Sequence, residues 1–354
     1  MKGLLILVYT VISWYLTTAT TIVPLYLLSN IKPLRKVCLN LCKYIMGLTM
    51  NNASYFYRKV LNLPIYFYGD PINDQESILF FMNHRSSIDY LFFISLISEL
   101  GDSSKIKIVM KSILRYFPGL GTTCYINNFP FLKRDYSTDE NYLKNLGTQL
   151  NDSNLLIFPE GTRYSQEKLE KSNEYSRKNC YPEYRNLLLP KTKGSYLIFK
   201  SMMENKTVDS VYDLTINFEG IDKGKKHDAL SLIFKNDIKS IHIHARRIPV
   251  SQIPLDETMF RQWMHQLYLG KDILLETPVE RWKYVYPHMI INKKKNKIIF
   301  FLTLFACIGL IYTLWKSKSF RYYHLIILIL GIGIVTKNSK YRTLKKPKLE
   351  KLIN

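Results

Sequence analysis

The sequence predicts an α/β protein with a mixed, largely parallel sheet and flanking helices, set between apolar helices at both ends of the chain. Three observations predict it. Between residues 61 and 290, short apolar runs of strand type alternate with longer runs of helical period, the pattern of strand–helix–strand units. Residues 3–31 contain no charged side chain. Near the other end, Ile298–Trp315 and Tyr322–Thr336 are two further charge-free runs. The 354 residues therefore divide into an N-terminal membrane anchor with a connecting helix (1–60), a central α/β domain (61–290), and a C-terminal helical hairpin with a basic tail (291–354).

The first apolar run exceeds the roughly 20 residues that cross a bilayer. It is also longer than a signal-peptide core of about 7–15 residues, and no small-x-small cleavage site closes it, so it reads as an uncleaved span. In the central domain, Pro64–Tyr68, Ile78–Met82, Ile106–Met110, Leu155–Phe158, Val211–Phe218 and Ile241–Arg246 read as strands. Ile88–Leu100, Thr138–Leu150, Ser195–Met203 and Glu257–Leu269 read as helices, with Ser137 and Asp256 as caps for two of them. Residues 164–182 are polar without a clear period and read as a loop or irregular helix, a candidate lid. The run Tyr322–Thr336 is short for a full span and pairs with Ile298–Trp315 across the basic turn Lys316–Arg321.

A formal charge of +22 requires an acidic partner. The cations crowd the apolar flanks: Lys32, Arg35 and Lys36, then Lys293–Lys295 and Lys297, then seven more from Lys337 to Lys351. Basic residues beside hydrophobic spans point to anionic lipid headgroups and away from nucleic acid. The positive-inside rule places these flanks on the cytoplasmic side and the N-terminus opposite. The five cysteines are scattered and odd in number, which argues against a disulfide framework. Cys38 and Cys42 lack a second pair at zinc-site spacing and read as packing residues. His242 and His244 alternate on one strand with no further ligand nearby. They read as an exposed strand face, and no metal site is expected.

Two motifs carry chemistry. The first is Asn83-His84-Arg85-Ser86-Ser87-Ile88-Asp89, directly after a strand. An imidazole held by a carboxylate is a general base, with His84 taking the proton and Asp89 fixing the tautomer. Asn83 is a candidate to position that base through its amide. The second is Phe158-Pro159-Glu160-Gly161-Thr162-Arg163, also after a strand. Arg163 offers a planar fork for phosphate and Gly161 permits close backbone approach. Glu160 suits holding a basic residue or a hydroxyl. No Gly-x-Ser-x-Gly elbow occurs, which disfavours a serine hydrolase.

These two blocks, with Phe131-Leu132-Lys133-Arg134 between them and Leu188-Leu189-Pro190-Lys191-Thr192-Lys193-Gly194 after them, resemble the glycerolipid acyltransferase family, in its C-terminally extended lysophospholipid-acyltransferase branch. The resemblance covers roughly residues 75–275. It implies that His84 and Asp89 are catalytic. It also implies that Lys133, Arg134, Glu160, Gly161, Thr162 and Arg163 bind the acceptor and its phosphate, and that Pro190, Thr192 and Gly194 shape the pocket. Lys111, where relatives carry a basic residue, either stabilises the oxyanion, binds phosphate, or is a surface lysine. The implied reaction moves an acyl group from acyl-CoA, a co-substrate, to the sn-2 hydroxyl of lysophosphatidic acid, with no cofactor. Another lysophospholipid such as lysocardiolipin or lysophosphatidylinositol is the alternative acceptor, and a silent membrane scaffold is the alternative from another class. The resemblance also implies the endoplasmic reticulum, with the catalytic domain facing the cytoplasm. In some members two N-terminal helices lie in one leaflet, a role residues 36–60 would share here.

Overall fold

The computed structural model describes residues 2–220, 238–285, 288–290 and 316–342, with a few single positions between 305 and 313. A seven-stranded sheet organises it, in the order β3-β6-β2-β7-β8-β1-β9. The strands are β1 (Ile65–Gly69), β2 (Ile78–Met82), β3 (Ile106–Ile108), β6 (Asn154–Ile157), β7 (Ser210–Glu219), β8 (Ser240–Pro249) and β9 (His288–Ile290). Four of them, β3, β6, β2 and β7, run parallel; β8 is antiparallel to β7, and β1 pairs parallel with β8. A separate two-stranded ribbon joins β4 (Met110–Lys111) to β5 (Phe131–Leu132). The expected strand Ile106–Met110 is thus split, its last residue leaving the sheet for the ribbon.

β2 shows why the sheet lies where it does. All five residues are buried. Ile78, Phe80 and Met82 enter one core cluster, and Leu79 and Phe81 enter another. A strand covered on both faces has no polar side to show, so its sequence is a continuous apolar run. The first cluster is closed by α3 (Arg35–Leu61) and α4 (Asp89–Leu100). The second is closed by α8 (Thr192–Glu204) and α9 (Glu257–Glu276).

The N-terminal apolar stretch is one helical run: α1 (Lys2–Thr17), a π-turn at Thr18–Ile22, and α2 (Val23–Leu28). It folds back on α3. Tyr9 packs tilted on Phe56 at 3.9 Å between ring centroids, and Cys42 Sγ lies 3.7 Å from Ile22 O, the register of an antiparallel hairpin. Val8–Leu28 is long and apolar enough to cross a membrane by length and composition. Its inner half is not free-standing, however, because Tyr9 and Trp14 belong to the main core. The C-terminal α11 (Lys318–Arg342) is longer than the run Tyr322–Thr336 and starts inside the expected turn, where Ser317 Oγ accepts from Phe320 N. It packs on the N-terminal run through Tyr15 Oη to His324 O and Tyr323 Oη to Ala19 O, both 3.0 Å. Most of Ile298–Trp315 lies outside the described residues, and so does the expected hairpin.

Several local expectations are corrected. The segment 164–182 holds a regular helix, α7 (Gln166–Lys178), capped by Ser165 and braced by Glu167–Lys171 and Glu174–Lys178 pairs. Asp135, not Ser137, caps α6 (Tyr136–Lys144), because a carboxylate two residues earlier reaches the Ser137 N–H. Asp256 caps α9 as expected. His242 is fully buried, not on an exposed face: α10 (Val279–Val285) lays Trp282 edge-on over it, and Tyr68 Oη and Ser240 Oγ take its two nitrogens at 2.7 and 2.6 Å.

Candidate active site

His84 and Glu160 emerge from the carboxyl ends of the adjacent parallel strands β2 and β6, where the loops of an open sheet converge. His84 Nδ1 lies 3.0 Å from Asp89 Oδ2. The same oxygen accepts from the backbone N–H of Arg85 and Ser86 at 2.7 and 2.8 Å. Asp89 is fully buried at the first residue of α4, so its carboxylate closes the 84–89 turn and faces the positive end of the helix. Local chain geometry alone brings the pair together. The His84 ring stacks on Phe158, with centroids 4.1 Å apart, and its side chain remains 16% exposed. With Nδ1 committed to the carboxylate, Nε2 is the nitrogen left to accept a proton.

Glu160 does something other than hold a cation or a hydroxyl by direct hydrogen bond. Its Oε1 accepts from His84 N at 2.8 Å and its Oε2 from Leu188 N at 3.2 Å. Tyr164 N donates to His84 O, and Lys191 N to Pro159 O, both at 2.8 Å. Glu160 thereby ties three loops together: the one carrying the base, its own, and the one entering α8. Burial pushes its carboxyl up, to about 8, against the pull of those N–H donors and of Arg85. Arg85 is itself buried, its guanidinium 5.0 Å over the Tyr164 ring. Burial draws its pKa down, while Glu160, Tyr164 and Asp89 hold the charge on. A buried cation so enclosed by carboxylates offsets part of the cost of burying them.

Asn83 does not touch the base. Its amide nitrogen donates to Ile216 O and its amide oxygen accepts from Ile216 N, so it continues the ladder between β2 and β7 just below His84. Thr162 Oγ1 accepts from Lys168 Nζ at 2.7 Å, and Arg163 O does so at 3.0 Å. Lys168 was not a sequence candidate. Its signal was the Ser165 cap, which sets Lys168 in the first turn of α7 beside the Thr162 loop. Gly161 sits at φ +69°, and a Cβ there would come within 3.0 Å of the Lys191 side chain. Gly161→Ala should therefore be both strained and displacing, and on the expectation that this turn holds the acceptor its KM should rise about tenfold with little loss of fold. Titrating the acceptor at fixed donor, alongside thermal unfolding, checks it.

The remaining candidates divide. Pro190 is buried, and Thr192 opens α8 directly after the Lys191–Pro159 bond, so they belong to the clamped loops. A Cβ at Gly194 would meet the Leu143 side chain no closer than 4.0 Å, so among the described residues nothing outside its own helix requires a glycine there. Lys111, Lys133 and Arg134 are exposed along the β4–β5 ribbon, where Lys111 pairs with Leu132. Asp139 accepts from the N–H groups of Lys133 and Arg134 and holds Arg134 at φ +67°. Among the described residues no side-chain hydrogen bond joins these three cations to His84 or Glu160.

The chain matches the Acyltransferase family over residues 64–218 and the Acyltransferase C-terminus family over residues 232–305. A probable 1-acyl-sn-glycerol-3-phosphate acyltransferase 5 of Arabidopsis thaliana is 30% identical over 62% of this chain and 58% of that protein. The chain thus spans a little over half the length of that relative. Lysocardiolipin acyltransferase 1 of Mus musculus is 28% identical over 58% of this chain and 54% of its own. An uncharacterised acyltransferase of Schizosaccharomyces pombe is 30% identical over 64% of this chain and 68% of its own. The crystal structure of the 1-acyl-sn-glycerophosphate acyltransferase of Thermotoga maritima aligns with 77% of this chain and 98% of that one, at 17% identity and a TM-score of 0.43. The first matched region contains the His84–Asp89 pair and the Glu160 clamp, and the chain belongs to the acyltransferase family.

Proposed function

We propose that the protein transfers a fatty acyl group from acyl-CoA to the sn-2 hydroxyl of lysophosphatidic acid, giving phosphatidic acid and CoA. The observation that carries this is the His84 imidazole, held through Nδ1 by a buried carboxylate that is itself anchored by two backbone N–H groups. An acceptor hydroxyl titrates far above neutral pH and needs a base as it attacks. His84 Nε2 takes its proton as the oxygen adds to the thioester carbonyl. The tetrahedral intermediate then expels CoA thiolate, which recovers the proton from the imidazolium. Asp89 fixes the tautomer and stabilises the imidazolium between those steps. The thioester is already activated, so no acyl-enzyme is needed. Arg163 and the Gly161 turn are assigned to the acceptor's phosphate.

The names of the plant relatives support lysophosphatidic acid as the acceptor. The mouse relative's name favours a second reading, lysocardiolipin. We place the protein in the membrane with His84 on the cytoplasmic side, on the strength of two apolar helices and the basic flanks, and in the endoplasmic reticulum on the family resemblance alone. Purified full-length protein with labelled acyl-CoA and a panel of lysophospholipids decides between these readings. Fastest turnover of lysophosphatidic acid supports the first and fastest turnover of lysocardiolipin the second. Transfer to no lysophospholipid overturns both and leaves the scaffold.

Arg163→Lys tests the phosphate assignment. Lysine keeps the charge but loses the planar fork, so acceptor KM should rise on the order of tenfold with the KM for acyl-CoA unchanged. A rise confined to acyl-CoA would move the phosphate site to the other substrate.

A further inference from the structure

The segment joining β4 to α5 (Leu120–Ile126) begins with a short helical turn at Ser112–Tyr116 and turns four large apolar side chains outward. Ile113, Leu114, Tyr116 and Phe117 are 39 to 59% exposed. A contiguous apolar cluster of this kind marks a surface with a partner. Three features identify the partner.

The first is what the segment is fastened to. Gly119 lies so close to the N-terminal helix that a Cβ would sit 2.6 Å from Tyr15 N. The Thr18 hydroxyl, at the π-turn, is 2.9 Å from Gly119 O and 2.6 Å from Thr123 Oγ1. On the other side α11 packs against α5 and the 112–116 turn, with Gly331 against Thr122. Both neighbouring helices are long and apolar enough to cross a membrane, and both leave most of that apolar surface uncovered: Val8, Leu27 and Leu28 on one, Leu325, Ile326 and Ile329 on the other. The exposed turn continues their apolar surface.

The second feature is charge. From Ser103 to Arg134 the chain contains no carboxylate, while Lys111, Arg115, Lys133 and Arg134 stand on the turn and at the end of the ribbon beside it. Apolar side chains rimmed by four cations, with Asp135 and Asp139 only beyond Arg134, match an acyl layer beneath anionic headgroups. The third is place. β4 leaves the sheet after β3, at the same end of the parallel strands from which His84 and Phe158 emerge. Met110, Phe131 and Phe158 pack against one core cluster.

We propose that the 112–117 turn inserts into the boundary between headgroups and acyl chains of a bilayer containing anionic phospholipid, and forms the membrane-facing lip of the site. Insertion stands apart from the chemistry proposed above. That a lipid acceptor passes along this lip to His84 rests on that chemistry.

The test uses the full chain, freed of its native cysteines, in vesicles of phosphatidylcholine with and without phosphatidylserine. A nitrobenzoxadiazole dye is attached at Ile113→Cys or, as reference, at Lys171→Cys on the exposed face of α7. At position 113 the dye should be blue-shifted, quenched by a nitroxide carried on a lipid chain, and protected from iodide. The shift should weaken when phosphatidylserine is omitted. At position 171 the dye should respond to iodide alone. Iodide quenching at 113 equal to that at 171 overturns the proposal. Protection from both quenchers also overturns it, since protein and not lipid would then cover the turn. An unchanged blue shift without phosphatidylserine overturns the anionic requirement.

The acceptor route is tested separately. Leu114→Asp and Phe117→Asp should raise KM for a long-chain acceptor in vesicles about tenfold and leave a short-chain, water-soluble acceptor unaffected. Equal changes for both acceptors overturn the route. A wild-type protein that inserts at 113 but transfers nothing counts against the proposed reaction and not against insertion.

Discussion

Replacing His84 with alanine should lower acyl transfer by about 10²–10⁴-fold and leave the protein folded, because a positioned base contributes on that order to attack by a high-pKa hydroxyl. The structure explains why the fold survives. The Asp89 carboxylate keeps its bonds to Arg85 N and Ser86 N when the imidazole is gone, so the 84–89 turn stays closed. Glu160 and Tyr164 hold residue 84 through its backbone, which alanine retains. Asp89→Asn should be nearly as damaging for a different reason. Oδ2 alone faces both backbone N–H groups and Nδ1, so an asparagine oxygen in its place keeps all three contacts but carries no charge. The imidazolium that forms as His84 takes the proton then has no carboxylate beside it to stabilise it. Turnover of labelled acyl-CoA, followed by separation of the lipid products, measures both variants. Near-wild-type turnover by His84→Ala would sink the base assignment, and normal turnover by Asp89→Asn would remove Asp89 from the mechanism.

The pair was legible in the sequence because its geometry is local. A strand, a five-residue turn and the first residue of a helix suffice to join His84 to Asp89, and all three were visible in apolar pattern and spacing. The expected strand Ile78–Met82 has the bounds β2 shows, because a strand buried on both faces carries an unbroken apolar run. The Glu160 clamp was not legible. It joins His84 to Leu188, and nothing near residue 160 states which N–H groups a buried carboxylate will meet. His242 was misread for a related reason: alternation on β8 was visible, but not that Trp282 would cover it. The helix at Gln166–Lys178 was missed because its signal is charge pairing on an exposed face and not an apolar stripe. Asn83 had the right neighbourhood and the wrong partner, since its amide reaches across to β7.

The largest effect on stability should come from Lys271, which no local pattern singles out. It lies on α9, fully buried, and its ammonium donates to Leu214 O at 2.5 Å and Phe81 O at 3.2 Å. It also lies 2.5 Å from Asp213 Oδ1. These bonds sew β2 to β7 two residues before Asn83 repeats the same bridge, so one lysine fixes the strand end from which His84 leaves the sheet. Burial draws the lysine's pKa down, and Asp213 and Glu160 oppose that shift. Lys271→Met keeps the length and apolar bulk of the side chain but strands a buried carboxylate and two carbonyls, a loss of about 3–5 kcal/mol. Arg246 Nη2, 3.3 Å from Asp213 Oδ2 but half exposed, recovers only part of it. The double variant Lys271→Met/Asp213→Leu removes both charges and should regain much of that loss, since an apolar pair of similar volume often replaces a buried ion pair without penalty. Denaturant unfolding in detergent, on both variants and on Asp213→Leu alone, closes the cycle. A Lys271→Met protein as stable as the wild type would mean that the pair adds nothing to the fold. Recovery of stability in the double variant without recovery of turnover would show that the lysine also sets the placement of His84.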